Sequence, residues 1–287
     1  NKTNFYKYSI SKNYKKIFLS FLPHIQKNNL KIAIKSLQAR FKGSLDHIEY
    51  MSHSAFNKKK FSNSKLINKM KNKYKILIAP HDFVDAPHLF GKFIFADMYD
   101  WLNFLCKLSK ETNYTWLLKT HPKLGEKNKP YQKYTRDVIL RMIKNSNIKF
   151  LNPNISHNEL IHKFKIDCVL TVTGTIAHEY AYHGIKVINA SRNNVHESYS
   201  FNLHAKNVNE YKKMIFNKDL KPNINHKDLG SFYYMHYMYC DRNWFFNDVN
   251  KVIKNVGGYN ELASYKLYEE WLKNYSKKEY NFKIKKI

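Results

Sequence analysis

Between Tyr74 and Asn189 the chain alternates two kinds of segment, and this alternation restricts the fold more than any other feature. Short apolar runs occur at Lys75–Pro80, Tyr114–Lys119, Ile148–Leu151, Asp167–Val172 and Ile185–Asn189. Runs of this length, without polar alternation, read as strands buried on both faces. Between them lie segments with helical spacing: Phe93–Leu108, Tyr134–Lys144, His157–Lys163 and Thr175–His183. In the first, Phe93, Phe95, Trp101, Leu102 and Leu105 are the core candidates. Ser156 followed by Glu159 is a capping-box pattern, and Gly184 is placed to close the last helix in a left-handed conformation.

Strands alternating with helices predict an α/β fold, a Rossmann-like parallel sheet with right-handed crossovers and ligands at the carboxyl ends of the strands. The expected organisation is a helical segment over 1–72, the Rossmann-like domain over 73–215 and an aromatic-rich helical segment over 216–287. The first segment includes a polar connector, Lys58-Lys59-Lys60 with Asn63 and Ser64, and the last ends in a basic stretch, Lys277 to Ile287. The cluster Phe232-Tyr233-Tyr234-Met235-His236-Tyr237 and the following Trp244-Phe245-Phe246 read as core packing. The start at Asn1 rather than Met leaves room for a preceding domain.

With 43% apolar residues in 287, the chain can bury a core, and 16% aromatic content excludes a disordered chain. The three cysteines, Cys106, Cys168 and Cys240, form no CxxC and no disulfide framework or zinc site, which fits a reducing, cytoplasmic setting. No signal peptide is visible, and no apolar run approaches the ~20 residues that span a bilayer. The formal net charge of +28 has two readings. One is a basic surface for an acidic partner: nucleic acid, a phosphorylated substrate or an anionic membrane carrying lipid-linked acceptors. The other is codon composition, since Lys and Asn both have AT-rich codons.

Unusual polar residues follow the strands. Pro80-His81-Asp82-Phe83-Val84-Asp85-Ala86-Pro87-His88 holds His and Asp side chains suited to deprotonating a hydroxyl, to covalent attack or to metal binding; a capped turn is the plain alternative. Lys119-Thr120-His121-Pro122 offers a point charge and a donor for a phosphate, or a surface lysine beside a proline turn. Thr171-Val172-Thr173-Gly174-Thr175-Ile176-Ala177-His178-Glu179 runs from a strand through small hydroxyl residues and Gly174 into a helix, an arrangement that favours an anion and is also compatible with capping by Thr173 or Thr175. GxGxxG and GxxxxGK[ST] are absent, which argues against a dinucleotide oxidoreductase and a P-loop NTPase, and no GxSxG is present.

The order HDFVDAPH, WLLKTHP, TVTGTIAHEYAYHGIKVI resembles the C-terminal half of bacterial capsule and surface-polysaccharide glycosyltransferases of GT-B architecture. That group includes the capsule Kdo transferases and, more distantly, the CDP-glycerol glycerophosphotransferases. The resemblance covers Tyr74 to Asn194, with a weaker echo in Phe232–Trp244. It implies a donor-binding, GT-B C-terminal-type domain over 73–215 that moves a sugar from a nucleotide-activated donor, such as a CMP-linked one, to a glycan or lipid-linked glycan acceptor. It implies that Lys119 and His121 bind donor phosphate, that Thr173, Gly174 and Thr175 lie under it, and that Glu179 holds the ribose. His81, Asp85 and His88 are then the catalytic candidates, with no bound metal and no cofactor. A GT-B enzyme has two Rossmann-like domains and this chain shows one set of strands, so 1–72 is expected to be a helical lead-in or a remnant of the acceptor side.

The expected activity is therefore a glycosyltransferase of capsule biosynthesis, cytoplasmic and peripheral to the inner face of the membrane. A CDP-polyol phosphotransferase would use the same phosphate cradle. A basic nucleic-acid-binding protein is the alternative of another class; basic and aromatic residues interleave at Tyr6-Lys7-Tyr8, but no RRM, KH or helix-turn-helix signature occurs, so no nucleic acid is expected. A non-catalytic subunit that retains the fold is the remaining option.

Overall fold

A computed structural model describes residues 13–44, 54–56, 67, 70, 72–81, 83, 91–121, 130–192, 194–239, 248–258, 261 and 264–275. In the N-terminal region are α1 (Tyr14–Ser20) and α2 (Pro23–Phe41). The α/β region comprises β1 (Lys75–Ile78), β2 (Lys92–Phe93), α3 (Met98–Lys110), β3 (Thr115–Leu118), α4 (Pro130–Ile143), β4 (Ile148–Phe150) and α5 (His157–Glu159). It continues with β5 (Cys168–Thr171), α6 (Ile176–Tyr182), β6 (Lys186–Asn189), β7 (Ser191–Arg192), β8 (Leu203–His204) and α7 (Val208–Phe216). Three further helices follow, α8 (His226–Tyr237), α9 (Val249–Val256) and α10 (Tyr265–Tyr275).

The main sheet has six strands in the order β4-β3-β1-β5-β6-β8. All of its pairings are parallel. The chain therefore works outward from β1 to β4, returns to the middle and works outward again through β5, β6 and β8. The order reverses between β1 and β5, where Ile76, Leu77 and Ile78 pair with Cys168, Val169 and Leu170. In sheets of this topology the diverging connections on either side of the reversal leave a crevice at the carboxyl edge.

Both faces of the sheet are covered, which explains the unbroken apolar runs. Ile76, Ile78, Trp116, Leu118, Leu170 and Ile188 pack with Trp101 and Leu105 of α3, Ile139 of α4 and Tyr211 of α7. Alternate residues Leu77, Leu117, Val169 and Val187 pack with Ala33, Leu37 and Phe41 of α2, Tyr180 of α6 and Tyr233 of α8. The helices flanking the α/β region in sequence are thus a layer of its core. Helix α2 lies close along α8: a Cβ on Gly230 would meet Leu30 Cδ2 at 2.8 Å and Ile34 Cγ1 at 3.4 Å. Burial of Phe232, Tyr233 and Met235 bears out the core reading of the aromatic cluster. Trp244-Phe245-Phe246, Cys240, the Lys58-Lys59-Lys60 connector and the basic end from Lys277 lie outside the described residues.

Several local expectations are corrected. The helix expected from Phe93 starts at Met98, because Lys92 and Phe93 pair antiparallel with Arg192 and Ser191 and Ile94 N–H donates to Ala190 O. Asp97 then caps α3, accepting from Asp100 N–H at 2.8 Å. Helix α4 begins at Pro130, ahead of the expected Tyr134. The helix expected over His157–Lys163 is a single turn that passes into a π-helical turn, Leu160–Phe164, ended by Lys165 at φ 54°. The capping box does not form. His157 N–H donates to Ala55 O, Glu159 pairs with Lys163 at 3.3 Å, and the buried Ser156 hydroxyl has no hydrogen-bond partner. The Gly184 expectation holds: at φ 76°, Gly184 N–H donates to Ala181 O and Ile185 N–H to Tyr180 O, a Schellman closure of α6.

Candidate functional site

Parallel pairing aligns the carboxyl ends of β3, β1 and β5, so the segments after them emerge side by side. Two hydrogen bonds fix the β1 and β5 ends together: Ala79 N–H donates to Leu170 O at 2.9 Å, and the Thr171 hydroxyl donates to Ala79 O at 3.1 Å. This brings His81 onto the loop before α6. Thr173 N–H donates to His81 Nε2 at 3.3 Å, and the Thr173 hydroxyl lies 3.5 Å from the same nitrogen. A neutral imidazole accepting at Nε2 carries its proton on Nδ1. Gly174 makes the approach close, since a Cβ there would stand 3.4 Å from His81 Nε2 and 3.3 Å from Thr171 Oγ1. His81 therefore meets Thr173 and Gly174, some ninety residues later in the chain, at the switch point of the sheet. No side chain caps α6, so the capping roles considered for Thr173 and Thr175 are not used.

Lys119 follows β3 directly and is only 5% exposed. Its backbone N–H donates to Ile78 O, which holds it beside the end of β1. Burial lowers the ammonium pKa from 10.5 to about 8, against an opposing pull from Glu179. Glu179 is itself buried on α6 and meets a residue from the N-terminal region. Arg40 Nε donates to Glu179 Oε1 at 2.7 Å, and Arg40 Nη2 lies 2.7 Å from the same oxygen. Arg40 is 2% exposed. One carboxylate thus faces two cations inside the protein. His157 lies within electrostatic reach of them: burial first, then Lys119, Arg40 and His121, hold its imidazole neutral. Its Nδ1 is 2.8 Å from the Tyr180 hydroxyl. The cluster has an excess of positive charge, and its natural complement is an anion.

Glu179, expected to hold a ribose, is enclosed, and its carboxylate accepts from Arg40. His121 is exposed at the rim of the β3 end. Asp85 and His88, with Asp82 and Pro122, lie outside the described residues. Among the described residues no group of His, Cys, Asp or Glu is spaced to hold a metal ion, and no helix is long and apolar enough to cross a membrane.

No protein family and no curated protein matches this chain.

Sequence reasoning missed Arg40. A signal existed: Ala33, Leu37, Arg40 and Phe41 form one helical stripe, and a charge on an apolar stripe requires a buried counter-charge. It also missed a second constellation. His178 of α6, His196 and His236 of α8 gather around Phe232, with ring centroids 5.1, 4.6 and 4.3 Å from the Phe232 ring. Both ring nitrogens of His178 and of His196, and Nε2 of His236, are buried without a hydrogen-bond partner. Burial depresses all of their pKa values, that of His236 to about 4. No spacing in the sequence reveals this cluster, because its members come from separate segments.

Proposed function

We propose that this protein is a glycosyltransferase that takes a sugar from a nucleotide-activated donor and adds it to a surface polysaccharide. The observation that carries the reading is the junction at the switch point: His81 against the Thr173–Gly174 loop, beside a buried and positively charged Lys119. Departure of a nucleotide from a sugar develops negative charge on phosphate. Fixed cations in a water-poor site stabilise that charge more strongly than water does. Lys119 would supply this charge. The amides entering α6 after Gly174 would add a polar cradle, with His121 at the rim. His81 would take the proton of the acceptor hydroxyl at Nε2, exchanging its long bond from Thr173 for one from the substrate. Asp85 and His88 remain catalytic candidates. The glycan acceptor, the lipid-linked form of it and contact with an anionic membrane surface belong to the same proposal.

Thermal melting with CMP, CDP, UDP, GDP and ADP tests it. A ligand that binds the folded state at 100 times its Kd adds about 2.7 kcal/mol. One nucleotide is expected to raise the melting temperature selectively, and Lys119→Met should abolish the rise. A rise with CDP, together with turnover of CDP-polyols alone, would replace sugar transfer by phosphotransfer. No rise with any nucleotide would refute the donor site.

A further inference from the structure

On the α3 and α4 side of the sheet an open cleft of about 650 Å³ is lined by Phe83, Tyr99, Tyr134, Val138, Met142 and Arg141, together with the buried Thr135. Its volume falls within the roughly 300–1,000 Å³ of small-ligand sites. The lining has an unusual chemistry for a surface. Tyr99 is 50% exposed and Tyr134 67% exposed, so large ring faces stand in solvent. Arg141 is exposed and makes no ion pair or hydrogen bond among the described residues. The rings and the guanidinium come from different elements: Phe83 from the segment after β1, Tyr99 from the first turn of α3, and the others from α4. Phe83 is two residues beyond His81, and two residues of chain span at most ~7 Å. The Phe83 wall of the cleft therefore lies next to the switch point.

We propose that this cleft is an acceptor subsite for a glycan whose sugars carry carboxylates, a reading that rests on the glycosyltransferase proposal. The exposed faces of Tyr99 and Tyr134, with the half-buried Phe83, present flat apolar platforms to the C–H faces of pyranose rings, while the Tyr hydroxyls remain available to sugar hydroxyls. The planar guanidinium of Arg141 matches a carboxylate with two parallel hydrogen bonds. A single-stranded nucleic acid also stacks on aromatic rings, but it calls for cations tracking successive phosphates, and the cleft lining contains a single one.

The test is calorimetric titration of the full chain with tetragalacturonate, maltotetraose and an oligo(dT), alongside the nucleotide melting series. Tetragalacturonate is expected to bind more tightly than maltotetraose. Arg141→Ala should weaken tetragalacturonate about tenfold, the scale of a hydrogen-bonded charge, and leave maltotetraose unchanged. Tyr134→Ala should weaken both sugars, and neither variant should alter a nucleotide-dependent melting shift. The subsite is overturned if neither saccharide binds, if the neutral one binds as tightly, if Arg141→Ala changes nothing, or if oligo(dT) binds through Arg141 and Tyr134. Arg141-dependent binding of tetragalacturonate without any nucleotide shift would keep the acidic-glycan subsite and remove the donor reading.

Discussion

Replacing Lys119 by Met should stabilise the protein while destroying its proposed function. Met keeps the length and apolar stem of the side chain and removes the charge. Folding lowers the Lys119 pKa from 10.5 to about 8, a value that already includes the attraction of Glu179. A depression of that size corresponds to a cost on the order of 3 kcal/mol for the charged form at neutral pH. For a chain of this size, relief of the cost should raise the melting temperature by roughly 5–10 °C. The sign can be checked by pH. Between about 8 and 10.5 the unfolded chain holds a proton on Lys119 that the native protein has released, so wild-type stability should rise with pH through that window. Lys119→Met should be flatter there. Urea unfolding at several pH values between 7 and 10.5 provides the measurement. A Met variant that is less stable than wild type at pH 7, or that keeps the same pH slope, would refute the view that Lys119 is a buried charge held against its own folding cost.

Arg40→Met should cost about 3–5 kcal/mol, since it leaves the Glu179 carboxylate enclosed without its guanidinium, whereas Arg40→Met combined with Glu179→Met should recover most of the loss in denaturant titrations. The imidazoles of His178, His196 and His236 are held neutral in the native state, so stability should fall as pH drops below the ordinary 6.5 of the unfolded chain, down to about 4 for His236. Each contributes up to about 1.4 kcal/mol per pH unit, and His236→Phe, which keeps the ring against Phe232, should shallow the acid limb of a melting-temperature profile. Asp85→Asn should remove most sugar transfer and leave the nucleotide-dependent melting shift intact; wild-type turnover in that variant would exclude Asp85 from the chemistry.

The strands of the sheet centre were legible in sequence because each is buried on both faces and therefore uniformly apolar. Gly184 was legible because a left-handed helix end has a strong local preference for glycine. The two-residue strands β2, β7 and β8 were not, for pairings so short leave no periodic trace. The same cause hid the true start of α3: Phe93 fits a helical pattern, but its partner Ser191 is nearly a hundred residues away in the chain and claims it for a strand. Ser156 and Glu159 had the right spacing for a cap, but Glu159 N–H donates to the Ser156 carbonyl instead of its hydroxyl, and the Glu159 carboxylate pairs with Lys163. At the site, Lys119 and Gly174 could be singled out by their positions after strands. What Glu179 does could not, because its partner lies on a helix whose link to the sheet is entirely tertiary.

The docking of α2 also sets an order of events during synthesis. Arg40 waits for a partner 139 residues later, and Lys15 pairs with Asp228, 213 residues later, at 3.0 Å. At roughly 5–20 residues per second, the first helices would stand outside a finished core for about 10–40 s on the ribosome. The lysine, asparagine and glutamine residues set among the apolar positions of both helices suit that interval: without them α1 and α2 would spend it seeking the wrong neighbours.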